Sequence, residues 1–82
     1  MSKILFRDQG YRFMFMEDEP RMHVVAYKWD GNAKYWLEPD VELEDNEKLA
    51  RIELEDLEAL IRSHLDQLRQ LWHERHGDQV GR

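Results

Sequence analysis

The chain has 82 residues, no cysteine and a net charge of −6, with 41% of its residues hydrophobic. That is enough apolar material for one small domain, but a chain this short buries only about 60% of its unfolded surface, so its stability margin is thin. The lack of cysteine excludes disulfides and thiolate metal sites, the acidic balance argues against broad nucleic-acid binding by the monomer alone, and no apolar run approaches the roughly 20 residues of a transmembrane helix.

Met1-Ser2-Lys3 leads into strand-like sequence without a signal-peptide apolar core, so a cytoplasmic location is expected. Ile4 to Phe6 reads as a short edge strand, Asp8-Gln9-Gly10 as a turn, and Tyr11 to Met16 as a strand apolar on both faces. Glu17 to Pro20 is an acidic loop closed by a proline that cannot donate to a ladder. His23 to Trp29 and Asn32 to Glu38 form a predicted hairpin about Asp30-Gly31, a pair suited to the positive φ angles of a type I′ turn. With that two-residue loop, Trp29 faces Asn32, Tyr27 faces Lys34, Val25 faces Trp36 and His23 faces Glu38. Strand alternation then gives Val24, Ala26, Lys28, Ala33, Tyr35 and Leu37 to the core face. His23, Val25, Tyr27, Trp29, Lys34, Trp36 and Glu38 share the other.

Beyond Pro39, Val41 to Glu44 alternates and reads as a further short strand before an Asp45-Asn46 loop. From Glu38 to Glu58 ten acids stand against Lys48 and Arg51, a local net of −8, while the remainder is at +2. Such a run is either a solvated face or a docking surface for a basic partner. Leu54, Leu57, Ile61, Leu65, Leu68 and Trp72 recur at helical spacing, with acids in the first turns and bases later, as the helix dipole favours. Ala50, Arg51 and Ile52 are poor N-caps, and Gly77 stands where a helix commonly stops. These elements predict an α+β domain over residues 1–77, with 78–82 a frayed tail. Its architecture is a small antiparallel sheet of three to four strands packed against one long C-terminal amphipathic helix.

Few residues point to chemistry. His73 and His76 have a spacing that can place two imidazoles on one metal, but no third ligand is evident and basic groups near a helix C-terminus are the preferred account of them. No cofactor is implied. His64 beside the apolar stripe reads as a core-edge histidine with a hydrogen bond. His23 opposite Glu38 forms a candidate imidazole–carboxylate pair for general acid–base work, a pairing that also occurs as an ordinary cross-strand contact. Val25, Tyr27, Trp29, Lys34 and Trp36 on the same face have a composition suited to a protein interface.

Glu19-Pro20-Arg21-Met22-His23-Val24, the run from Gly31 to Leu43 with Asn46 following, Glu53-Leu54 and Trp72-His73-Glu74 resemble the bacterial family called domain of unknown function 4160. The resemblance extends from about Ile4 to Gly77, and its Trp36-Leu37-Glu38-Pro39 segment is its most specific part. Members commonly read His-Val-His-Val where this chain has His23-Val24-Val25-Ala26, so the second histidine is replaced by Val25. The resemblance implies a small co-encoded partner in a toxin–antitoxin-like pair. The expected function is therefore a protein-interaction module that binds this partner or self-associates, and the alternative is a toxin-like ribonuclease using His23 with Glu38.

Overall fold

The computed structural model describes residues 4–16 and 18–80, with 76–80 described by backbone alone. Five strands, β1 (Phe6–Asp8), β2 (Tyr11–Met14), β3 (His23–Lys28), β4 (Gly31–Trp36) and β5 (Glu42–Glu47), form one antiparallel meander in sequence order. Helices α1 (Arg51–Ser63) and α2 (Leu65–Val80) follow. The α+β class stands, but the sheet has five strands where three to four were expected, and the long helix is two.

The additional strand content lies at the sheet edges. Gln9 (φ 50) and Gly10 (φ 87) turn the chain between Asp8 and Tyr11, which lets the three residues of β1 pair with β2. At the other edge β5 continues through Asp45 and Asn46, which were expected to be a loop. All six of its residues are exposed, so its pairing to β4 comes from the backbone ladder and not from a buried face. A dense acidic edge also discourages uncontrolled strand addition.

The central hairpin differs in register. Its two-residue loop is Trp29-Asp30, Lys28 pairs with Gly31, and His23 stands opposite Trp36, not Glu38. Trp29 supplies the positive φ, at 57°. Gly31 belongs to β4 for a different reason: a Cβ there would lie 2.7 Å from Leu49 Cδ2 and 3.2 Å from the Glu47 carbonyl oxygen. Gly31→Ala is therefore expected to cost about 1–2 kcal/mol by overpacking, checked by chemical denaturation. The slide is by one residue on each strand, so the faces are preserved. Val24, Ala26, Ala33, Tyr35 and Leu37 are buried beneath the helices together with Tyr11 and Phe13. Lys28 on that face reaches outward, its Nζ 3.8 Å from Glu53 and 4.9 Å from the Tyr11 ring centre.

The helices press Leu57, Leu60, Ile61, Leu68 and Trp72 onto this surface, with Leu54, Leu65 and Leu71 at its margin. Ala50 is the N-cap, with extended backbone and no side-chain acceptor. Only half of a capping box is present, in which Ala50 N–H donates to Glu53 Oε1 at 2.9 Å. Ala50→Ser would supply the other half and is expected to raise stability by about 0.5–1 kcal/mol, read as an increase in Tm.

The helical run breaks at His64, whose backbone has φ −106° and ψ 12°. Ser63 Oγ donates to the Leu60 carbonyl at 2.7 Å, and the His64 N–H is shared between Leu60 and Ile61 carbonyls. Such back-bonding competes with the helical ladder and bends it. α2 then runs through Gly77 to Val80, beyond the expected stop. Residues 81 and 82 of the expected tail lie outside the described residues. Among the described residues no helix is long and apolar enough to cross a membrane.

Candidate functional site

Both helices cover one face of the sheet. Directly opposed residues share a face, so the pairing register lays out the other face in rows. One row crosses all five strands as Arg7, Arg12, Tyr27, Asn32 and Glu47. The next reads Met14, Val25, Lys34 and Asp45, and a third brings His23, Trp36 and Glu42 together. Met16, Val25, Tyr27, Asn32, Lys34, Glu44 and Asp45 line an open groove of about 390 Å³ on this surface. Tyr27, Lys34 and Trp36 are partly exposed and Met16 is 40% exposed, whereas Val25 forms the floor at 5%.

Four of the five expected interface residues, Val25, Tyr27, Lys34 and Trp36, thus fall on one surface. The fifth, Trp29, sits at the hairpin tip and is 88% exposed. Trp36 is held firmly: its indole N–H donates to Glu44 at 3.0 Å, and the Arg21 guanidinium and Lys34 Nζ approach its ring centre at 4.2 and 4.5 Å. Lys34 also bonds Glu19 at 3.0 Å. That bond, with the Arg21 backbone N–H, holds the Glu19 carboxyl below the usual carboxylate range.

His23 has a different environment from the one alternation assigned. It is wholly buried, at the end of the sheet, with its ring 5.2 Å from Trp72, 6.0 Å from Phe15 and 6.4 Å from Trp36. Nε2 accepts the Met16 backbone N–H at 2.8 Å, and Nδ1 lies 2.8 Å from the Arg21 carbonyl. The tautomer with its proton on Nδ1 satisfies both bonds. Proton exchange with a substrate would have to break one of them. Glu38 is directed elsewhere: its carbonyl accepts from Arg21 at 3.1 Å, and its carboxylate is 3.9 Å from Arg69 Nε.

The fold does contain a close imidazole–carboxylate pair that the sequence reading did not find. His64 Nε2 lies 2.7 Å from Asp8 Oδ2, and its ring packs on Phe6 at 4.8 Å. The contact fastens edge strand β1 to the helix break. Only the expectation of a hydrogen bond at His64 pointed toward it, because the partner is 56 positions away.

His73 is exposed on α2, and the side chain of His76 lies outside the described residues. Among the described residues no group of three or more histidine or carboxylate side chains is placed to hold a metal.

A family model described as a domain of unknown function, DUF4160, matches residues 10–73. This chain belongs to the DUF4160 family. No curated protein and no solved structure gives a significant match. The match covers β2 through β5, all of α1 and α2 as far as His73, so the DUF4160 unit contains the groove on the sheet face, His23 and the helix break, while β1 lies before it. Its Trp36-Leu37-Glu38-Pro39 segment is a structural junction. Leu37 is buried, its N–H donates to the Met22 carbonyl at 3.1 Å, and its carbonyl accepts from Arg69 at 3.0 Å. The segment thereby joins the sheet end, the Glu19–Met22 loop and α2 of the DUF4160 domain.

Proposed function

We propose that this DUF4160 chain is a small protein-interaction module, one component of a toxin–antitoxin-like pair, whose docking surface is the outer sheet face. The observation that carries this reading is the groove lined by Met16, Val25, Tyr27, Asn32, Lys34, Glu44 and Asp45, on the face opposite the helices. It combines an apolar floor, a tyrosine and charged rims, a composition suited to a protein interface. Val25, standing where family members commonly have histidine, gives that floor its apolar character. The ribonuclease alternative draws no support from His23, whose two nitrogens bond backbone groups.

The test is light scattering after size exclusion, on the protein alone and co-expressed with the small adjacent reading frame. A stable complex or homo-oligomer is expected, and Tyr27→Glu, a change at a partly exposed position, is expected to abolish it while leaving the fold intact by circular dichroism. A monomer that ignores its neighbour overturns the reading.

A further inference from the structure

The charges on the outer face are sorted by strand. Arg7 and Arg12 occupy the β1–β2 side, directly opposite one another, and among the described residues neither is in an ion pair. Like charges placed so are mutually destabilising. Glu42, Asp45 and Glu47 occupy the β5 side, all exposed. Between them lie Val25, Tyr27 and Asn32, with Lys34 neutralised by Glu19. Adjacent strands are about 4.8 Å apart, so the outermost basic and acidic strands are separated by about 19 Å across the sheet. That is roughly twice the screening length at physiological salt, and the two edges of one molecule do little to neutralise each other.

The geometry points to a second copy of this chain as the occupant of the face, an inference that rests on the interaction reading above and names the partner. Face-to-face pairing of two identical sheets needs a twofold axis lying in the plane between them. An axis across the strands would set arginine on arginine and acid on acid. An axis along the strands exchanges the edges, so that the row Arg7, Arg12, Tyr27, Asn32, Glu47 meets its own reverse. Arg7 of each copy then faces Glu47 of the other, twice by symmetry, Arg12 stands opposite Asn32 one strand in from the β5 acids, and the two Tyr27 rings meet at the centre. Strands so aligned are also the ordinary arrangement of packed sheets. A face about 20 Å on a side is small for a permanent interface. The dimer is accordingly a weak, salt-sensitive one.

Sedimentation of the full chain over a range of concentrations tests this. The wild type is expected to dimerise, with Kd rising at least about tenfold between about 50 mM and about 500 mM salt as screening shortens. Arg7→Glu with Arg12→Glu makes both edges acidic, and Asp45→Lys with Glu47→Lys makes both edges basic. Each double variant alone is expected to associate about 100-fold more weakly or not at all, and an equimolar mixture of the two is expected to recover a 1:1 dimer. These positions are on the outer face, so circular dichroism is expected to be unchanged. A wild type that stays monomeric, double variants that dimerise as the wild type does, or a mixture that stays monomeric overturns the inference. If the monomeric wild type still binds the neighbouring protein, the interaction reading stands and only the second copy is lost.

Discussion

Replacing His23 with alanine is expected to destabilise the protein by about 3–4 kcal/mol, read as a fall in the urea midpoint with an unchanged slope. The imidazole connects two backbone groups that have left the β2–β3 ladder, the Met16 N–H and the Arg21 carbonyl, each at 2.8 Å. Removing it leaves both without that partner, at about 1–3 kcal/mol for each group that stays buried. It also opens a void beside Phe15 and Trp72, both of which make T-shaped contacts with the ring. His23→Gln, which can restore one of the two bonds, is expected to lose less. In a domain with a thin stability margin the alanine variant would be substantially unfolded at physiological temperature. Wild-type stability in that variant would show that the ring is not the fastening, and would return His23 to consideration as a group free for chemistry.

The same residue shows where sequence periodicity stopped being informative. Alternation placed Val24, Ala26, Ala33, Tyr35 and Leu37 inward, and all are buried, because a period of two survives the one-residue slide on each strand. Alternation also assigned His23 to the outer face. At the first residue of β3, however, its ring packs beside the touching pair Phe15 and Trp72, side chains contributed by segments before the strand and far after it. The turn was misplaced for a related reason. Asp-Gly is a strong local signal, but Gly31 is explained by Leu49, which packs where a Cβ would stand. β5 was legible only as far as Glu44, because beyond Leu43 it carries no apolar residue and its exposed side chains bury nothing. The helix break follows from the Ser63 hydroxyl bond and the His64–Asp8 contact, and the heptad-like stripe is continuous across it. Of the candidate surface, the aromatic and apolar centre was legible from hairpin alternation. The opposed charges at its edges were not, since they depend on how β1 and β5 pair.

Stability is expected to fall by about 2–3 kcal/mol as pH rises from about 10 through about 12, with Tyr35 responsible for most of the loss. Tyr35 is 1% exposed and its hydroxyl donates to the Leu54 carbonyl at 3.1 Å. Burial pushes its pKa up to about 12, with the charges of Glu58 and then Tyr11 acting in the same direction. In the unfolded chain a tyrosine ionises near about 10. Across this window the folded protein keeps a proton that the unfolded chain has released, so the unfolded state binds fewer protons and stability decreases with pH. The contribution is complete below the unfolded value and lost as pH rises through the folded one. Tyr11 is raised as well, by burial and then by Glu53 and Asp56, and contributes a smaller slope of the same sign. Tyr35→Phe is expected to be less stable at neutral pH by about 1 kcal/mol, the net value of the lost hydrogen bond. Its stability should decline less steeply under alkaline conditions, so the two curves of unfolding free energy against pH cross. Parallel curves would mean that the Tyr35 phenol reaches water in the folded protein, contrary to its place beneath α1.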